Sequence, residues 1–411
     1  MSRKLKIIVS KFIVTSMAMS VFLFSGTPTV NVFAATTKTV TNFSDLKTAV
    51  TNASNGDVIQ IAANTLDCTS QLIVDKSGIT IEPASGYSPV LDFTSFRTAA
   101  KAESPTATGD KYVGVRVSGG SNTIQGLTIE KAYDNGMLIK PSSSSSTPNS
   151  NNIIDCVFSY NGDAGFQITG SQDYKVYPSN NKVVGCVAYR NFDPLTSGGN
   201  ADGFSPKLYI GNGNTFSYCV SAENSDDAWD SFGSLASNVT YDHCVAYHNG
   251  DPAIFTGAYD KANGLGTDSD LTIGTSTGNG NGFKLGSGSS KYGAASSGLR
   301  TMTDCLAVNN TSKGFDANNS VCTINLTNGM SFGNGKADYY LTGTTVANTF
   351  TNAQAFSAAS ANSAPSGGTI TTVTSSKQSA IKSEVDTAIK TMRTQLANKK
   401  IPSRMSFSFW N

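Results

Sequence analysis

A short pattern of apolar and polar positions recurs along the middle of the chain. Each copy begins with a small apolar residue, here called the anchor, and carries an asparagine five positions later. Successive anchors lie roughly 25 to 33 residues apart, a period typical of solenoid proteins. The copies run over Cys156–Asn161, Cys186–Asn191, Cys219–Asn224, Cys244–Asn249, Cys305–Asn310 and Gly329–Asn334, and Leu127 and Ile273 take the anchor position in copies that lack this cysteine.

A large apolar residue follows ten positions after nearly every anchor. These residues are Met137, Phe166, Trp229, Ile254, Phe283, Phe315 and Tyr339. The copy at Cys186 reaches its large residue, Phe204, after eighteen positions instead, which predicts an insertion of eight residues around Asp193–Asn200.

The alternating runs predict strands, and the Gly and Asn clusters between them predict turns. Helical periodicity is scarce between the anchors, which argues against a Rossmann or barrel layout. We therefore expect an all-β fold, a right-handed parallel β-helix in which stacked coils share one core. The asparagines then form a ladder at a spacing of about 4.8 Å, because their amides can donate and accept along the stack and tolerate left-handed turns.

The two ends of the chain depart from the repeat. Asn42–Asn52 predicts a short helix that caps the solenoid, opened by Asn42 or Ser44, and Gly56–Ile61 predicts the first strand. Apolar residues at helical spacing from about Ser375 predict a C-terminal helix that packs on the solenoid or caps it. These residues are Ile381, Val385, Ile389 and Met392. We expect a catalytic β-helix domain over residues 35–370 and a helical tail over residues 371–411.

Residues 1–34 have the pattern of a signal peptide. Four basic residues precede the apolar run Phe12–Phe24, and Val32–Ala34 resembles a cleavage site. The alternative is a membrane anchor, for which the run is short. Removing the four basic residues leaves 26 Lys and Arg against 29 Asp and Glu, a formal net charge of −3. We expect a secreted monomer that binds neither nucleic acid nor membranes after cleavage.

Seven cysteines in an exported chain raise the question of disulfides. Four of them are anchors of successive copies, where a small apolar side chain packs well, so we expect buried thiols. Adjacent coils would still bring such cysteines within bridging distance, and the pattern alone does not exclude a disulfide.

Four aspartates fall in register with the repeat. Asp202 and Asp227 both lie two positions before a large inward residue, so they share a column, meaning the same position on successive coils. Asp226 precedes Asp227, and Asp230 follows Trp229 at an outward position. A single Asp of this kind is often only a turn residue, but four together repel without a cation. The cluster predicts a calcium site, which Asp251, in the column of Asp226, could join.

Lys284 follows Phe283 and therefore lies in the outward column of Asp230. Counting the copies places it two coils beyond Asp230, with the two Cα atoms about 10 Å apart. An outward lysine is usually solvated, but this one faces the acidic cluster and is a candidate base.

Several strings resemble motifs of the family 9 polysaccharide lyases, which are pectate lyases. They are Asn200–Phe204, Pro206–Leu208, Asp226–Asp230 and Asn281–Leu285, and the resemblance extends over roughly residues 120–345. It implies a right-handed parallel β-helix, Ca²⁺ held by Asp202, Asp226, Asp227 and Asp230, and Lys284 as the Brønsted base. Ala228 departs from the glycine that family members often carry.

The implied reaction is β-elimination on polygalacturonate, an anionic polymer. Calcium would neutralise the substrate carboxylate while a neutral lysine removes the C5 proton. We expect Lys207, Asn281 and Lys313 to contact substrate. The alternatives are a hydrolase of the polygalacturonase type, a lyase for another uronate such as alginate, and a noncatalytic solenoid that binds calcium or sugars.

Overall fold

The computed structural model describes residues 35–103, 109–234, 237–255, 278–287, 298–320, 322–341, 348–357 and 369–410. The predicted signal peptide and the anchor Ile273 lie outside these residues, so both remain predictions.

Each coil contributes short strands to three parallel sheets, named first, second and third in the order in which a coil visits them. The coil at Cys156 is representative: its strands Asn152–Ile154, Val157–Ser159 and Phe166–Ile168 pair with strands of the coils before and after it. All the pairings between strands are parallel, which leaves the backbone N–H and C=O groups bonded between coils rather than within them. The predicted right-handed parallel β-helix is confirmed.

The strands of the three sheets are short. The first sheet contains Thr37–Val40, Val58–Ile61, Thr80–Pro83, Thr123–Gln125, Asn152–Ile154, Lys182–Val184, Asn214–Ser217, Asn238–Asp242, Leu299–Thr303, Thr323–Thr327 and Thr349–Thr351. The second contains Thr65–Asp67, Val90–Asp92, Thr128–Glu130, Val157–Ser159, Val187–Tyr189, Val220–Ala222, Val245–Tyr247, Leu306–Val308, Met330–Phe332, Ala353–Ala355 and Ile370–Thr372. The third contains Leu72–Val74, Val115–Val117, Met137–Ile139, Phe166–Ile168, Phe204–Pro206, Trp229–Asp230, Phe283–Lys284, Lys313–Asp316 and Ala337–Tyr340.

The interior is built from ladders of like side chains. All seven cysteines are buried and lie outside any disulfide, and five of them are at anchor positions. In one asparagine ladder each side-chain amide donates to the next across 2.8–3.0 Å. Its members are Asn161, Asn191, Asn224, Asn249, Asn310 and Asn334. The left-handed turn residue is the one before the asparagine, such as Arg190 or Glu223, and not the asparagine itself. The asparagine instead satisfies backbone groups that the turn leaves open.

An aromatic ladder runs along the inner face of the third sheet. Stacked neighbours have ring centroids 4.7–5.2 Å apart. The ladder consists of Phe204, Trp229, Phe283, Phe315 and Tyr339. Phe204 pairs with Phe166 in the preceding strand, so the insertion after Cys186 is confirmed.

The prediction for Ile254 is wrong. Ile254 ends a short 3₁₀ helix, Pro252–Ile254, and Trp229 pairs directly with Phe283. Proline at the start of that helix fixes a backbone that does not suit a strand. Asp251 caps the helix by accepting the Ala253 N–H, and it pairs with His248, so it does not join the column of Asp226.

The helix near the N-terminus forms where the sequence predicts it. The helix Phe43–Thr51 begins after Asn42, whose side chain accepts the Asp45 N–H across 2.9 Å. A strand, Thr37–Val40, precedes this helix, so Val58–Ile61 is the second strand rather than the first as predicted. A further helix, Thr94–Glu103, was not predicted, and 3₁₀ turns lie at Asp110–Tyr112, Pro194–Thr196 and Ser408–Trp410.

The C-terminal helix spans Ser375–Ala397 and buries the four apolar residues that predicted it. They pack against outward-facing residues of the second sheet, including Val187, Val220 and Val245. The helix therefore covers a side of the solenoid. None of the helices in the described residues has the length and hydrophobicity that a membrane span requires.

Candidate active site

The candidate site lies where three neighbouring strands of the third sheet begin. Phe204, Trp229 and Phe283 are register partners, so the turns that lead into them are stacked. Asp230 and Lys284 are directly paired on adjacent strands. The predicted separation of two coils was therefore too large, because the coil at Cys244 places no strand between them within the described residues.

Three carboxylates meet at this point. Asp202, Asp227 and Asp230 each offer an oxygen, and these oxygens lie within 4.8 Å of one another. All three residues are buried. Burial raises the pKa of Asp202 to about 6, and the neighbouring carboxylates of Asp230 and Asp227 reinforce this shift against the opposing effect of Lys207. Burial and the charge of Asp230 also raise the pKa of Asp227, against the opposing effect of Lys284.

Asp226 lies at the margin of this cluster. Its carboxylate accepts the backbone N–H of Asn200 across 2.8 Å and also that of Asn279. It thus ties together the two loops that flank the cluster. Burial and the charges of Asp227 and Asp202 raise the pKa of Asp226 well above its usual range. Its predicted role as a fourth ligand stays a prediction.

Two lysines balance the carboxylates. Lys207 Nζ lies 2.8 Å from Asp202 Oδ2 and 3.8 Å from Asp230 Oδ2. Lys284 Nζ lies 3.0 Å from Asp227 Oδ2 and 3.4 Å from Asp230 Oδ2. Burial by itself would lower the pKa of each lysine. The attraction of the neighbouring carboxylates is stronger, so the pKa of both lysines is raised. In this arrangement both lysines are ammonium ions.

The donor set fits a hard divalent cation. Carboxylate oxygens are the ligands that calcium prefers. With four aspartates ionised and two lysines protonated, the group carries a net charge of −2, which one Ca²⁺ would neutralise. Burial and the neighbouring carboxylates raise the carboxyl pKa values, and a bound cation would oppose that shift. Asp202, Asp227 and Asp230 are therefore the residues that can hold calcium, with Asp226 beside them.

The remaining predicted residues, Asn281 and Lys313, lie just before the strand Phe283–Lys284 and on the strand Lys313–Asp316. Asn281 is buried and donates both its backbone N–H and its side-chain amide to Asp227 Oδ1, each across 2.8 Å. It orients the carboxylate, and its predicted contact with substrate stays untested. Lys313 Nζ lies 2.9 Å from Asp316 Oδ2, and its backbone N–H donates to Asn281 Oδ1 across 3.3 Å.

Two residues that support the carboxylates were not predicted. The Ser205 hydroxyl donates to Asp202 Oδ2 across 2.7 Å, and the Phe232 N–H donates to Asp230 Oδ1 across 2.8 Å. Ser205 follows Phe204 as Asp230 follows Trp229, so the column count could have found it. The contact of Phe232 depends on the turn after the strand, which the repeat pattern does not determine.

Comparison with known proteins shows the family to which the chain belongs. The family model "Pel9A-like, right handed beta helix region" matches residues 26–362. The chain is 31% identical over 261 residues to "Pectate lyase L" of Paenibacillus polymyxa (strain SC2), which covers 61% of this chain and 48% of the relative. It is 30% identical over 316 residues to "Pectate lyase L" of Thermoclostridium stercorarium, covering 72% of this chain and 21% of the relative. The chain thus spans less than half the length of these two curated relatives.

A solved structure supports the same relationship. The crystal structure of pectate lyase Pel9A superposes with a TM-score of 0.62 at 25% sequence identity, covering 84% of this chain and 83% of the other. The family match extends over most of the chain and includes every residue of the acidic cluster and Lys284. The chain belongs to the Pel9A-like right-handed β-helix family, and its resemblance to the family 9 polysaccharide lyases is confirmed.

Proposed function

We propose that this protein is a secreted, calcium-dependent pectate lyase that cleaves polygalacturonate by β-elimination. The relatives named as pectate lyases support the substrate and the reaction class. The observation that carries the proposal is the direct pairing of Lys284 with Asp230, beside two further buried carboxylates. Lys284, the proposed base, thereby lies next to a cluster of carboxylates whose oxygens suit a divalent cation. Export rests on the signal-like residues 1–34.

Asp202, Asp227 and Asp230 would hold the calcium, with Asp226 as a further ligand. When bound, calcium neutralises the substrate carboxylate and stabilises the negative charge that develops as the adjacent proton leaves. Lys207 contributes a fixed positive charge beside Asp202. Ser205 and Asn281 hold the carboxylates of Asp202 and Asp227 in place.

Lys284 would act as the base. Its ammonium form is stabilised by Asp227 and Asp230, against the opposing effect of burial. When those carboxylates serve as ligands, their charge no longer favours the ammonium to the same extent. Burial then favours the neutral amine, which is the form that can accept a proton.

The elimination balances within the substrate. Lys284 removes the C5 hydrogen as a proton, and the electrons of the C5–H bond form a C4–C5 double bond. The bond between C4 and the glycosidic oxygen O4 breaks, and O4 leaves with its electron pair and takes a proton from solvent, to which Lys284 returns the proton that it removed. One fragment has a new reducing end and the other an unsaturated uronate, and water is not consumed.

The test follows unsaturated product and reducing ends in parallel. Purified protein is incubated with polygalacturonate in calcium, then in excess chelator, and then with calcium restored. We expect ultraviolet absorbance to grow only when calcium is present. Reducing ends without a new chromophore would indicate a hydrolase, and neither signal would indicate a binding protein. A chromophore from alginate but not from polygalacturonate would indicate another uronate lyase.

A further inference from the structure

The outward column of the third sheet continues beyond Lys284. Lys284 is the register partner of Asp316, and Asp316 is the register partner of Tyr340. Tyr340 therefore lies two strands from the proposed base, about 10 Å along the sheet. Tyr340 is one of a few large hydrophobic side chains that are exposed in the described part of the chain, with 40% of the residue accessible. An exposed aromatic ring on the same face as an active site is a candidate surface for a sugar.

A lysine is fixed beside this ring. Lys313 Nζ lies 4.2 Å from the centroid of the Tyr340 ring and 2.9 Å from Asp316 Oδ2. Asp316 is itself buried and accepts the Asn318 N–H across 2.9 Å. The ammonium of Lys313 is therefore held in one position over the ring, which lowers the entropic cost of using it to bind an anion.

A cavity of about 240 Å³ is lined by both Lys284 and Lys313, the lysine that contacts the Tyr340 ring. Three lysines line it against a single carboxylate, that of Asp316, which leaves the cavity positively charged. The third lysine, Lys336, is exposed and has no ion pair with any carboxylate in the described part of the chain. Asparagine and serine side chains complete the lining with groups that can bond to hydroxyls.

We propose that Tyr340, Lys313 and Lys336 form a binding subsite for a uronate unit two strands from Lys284. The ring of Tyr340 supports the apolar face of the pyranose, while Lys313 and Lys336 meet the carboxylate. A hexuronate unit is about as long as the spacing between strands, so the polymer runs across the strands from Lys284 toward Tyr340. This inference rests on the proposed function, because it places a further unit of the same substrate.

The test measures oligogalacturonate binding and cleavage in Tyr340 variants. Calorimetric titration uses the Lys284→Ala variant as background, so that no substrate is consumed. Tyr340→Leu should weaken binding about tenfold, because a flat ring is replaced by an aliphatic chain of similar bulk, whereas Tyr340→Phe should bind within about twofold of the parent. In otherwise wild-type protein, Tyr340→Leu should raise KM by a similar factor and change kcat much less. Tyr87→Ala removes a comparably exposed tyrosine that lies outside the third sheet and should change neither quantity.

The contribution of Lys336 is tested by its salt dependence. Lys336→Gln should raise KM several-fold at low ionic strength and clearly less at high ionic strength, since the interaction is screened. Unchanged oligomer binding in Tyr340→Leu, or equal loss in Tyr340→Phe, contradicts the subsite. Weaker binding of oligogalacturonate by Tyr340→Leu than by Tyr340→Phe supports the subsite. This holds even if the wild-type protein forms no unsaturated product, because that result would contradict only the proposed reaction.

Discussion

At the scale of single residues, the two oxygens of Asp227 have separate partners. Oδ1 accepts from Asn281, and Oδ2 faces Lys284. The column count from the sequence located Asp227, two positions before Trp229, whereas Asn281 was predicted as part of the string Asn281–Leu285 that resembles a family motif. It could not show that Asn281 points at Asp227, since side-chain hydrogen bonds depend on rotamers that a repeat pattern does not determine.

Asp227→Asn should weaken calcium binding by at least tenfold, about 1.4 kcal/mol, because a charged ligand is lost while the shape of the side chain is kept. Isothermal titration with calcium measures this. Asp251→Asn is the matched control, since Asp251 caps a 3₁₀ helix, and its calcium affinity should stay within about twofold of wild type. Unchanged affinity in Asp227→Asn would remove this residue from the ligand set.

At the scale of elements, the third sheet depends on its aromatic ladder. Trp229 stacks between Phe204 and Phe283 with centroids 5.2 and 4.7 Å away. Most of this ladder could be predicted from the spacing of ten residues after each anchor. The position of Ile254 could not be predicted, because counting residues does not detect a coil whose residue at this position is outside the third sheet. Pro252 was the local signal, since proline disfavours a strand. Missing that departure placed Lys284 one strand too far from Asp230.

Trp229→Ala should destabilise the fold by about 3–5 kcal/mol, because it removes a fully buried ring from the middle of the ladder. Trp229→Phe should cost much less, about 1 kcal/mol. It keeps the stack and removes an indole N–H that has no hydrogen-bond partner among the described residues. Urea unfolding compares the two variants. Equal losses of unfolding free energy in the two variants would show that stability does not depend on ring stacking at position 229.

At the scale of the whole molecule, the C-terminal helix packs against the outer surface of several coils. Its buried apolar residues predicted the helix itself, but not its ion pair with the solenoid. Glu223 is buried between Arg190 of a neighbouring coil and Arg393 of the helix. Burial by itself would raise the pKa of Glu223. The charges and hydrogen bonds of Arg190 and Arg393 have a larger effect, so its pKa is lowered. Partners so far apart in sequence, at positions 223 and 393, leave no local signal.

Glu223→Gln should lower the free energy of unfolding by about 1–3 kcal/mol at pH 7, because charge-assisted bonds to both arginines are lost. A lowered folded-state pKa stabilises the protein above the unfolded value of about 4.3, and this contribution disappears as the pH falls through the folded value. The difference between variant and wild type should therefore shrink below about pH 4.

Asp386→Asn is the control for this pH series. It removes an exposed ion pair with Lys382 on the same helix and should change the free energy of unfolding by less than about 0.5 kcal/mol. A gap between Glu223→Gln and wild type that widens in acid would contradict the assigned role of the buried pair.

The most direct measurement compares Lys284→Arg with wild type in the rate of unsaturated product from polygalacturonate at saturating calcium. Arginine keeps the positive charge beside Asp227 and Asp230 but cannot become a neutral base, since its pKa exceeds about 12. We expect the rate to fall at least about 100-fold, or about 2.7 kcal/mol in barrier, while titrations show calcium and polygalacturonate still bound. A variant that keeps more than about a tenth of the wild-type rate would show that Lys284 is not the proton acceptor.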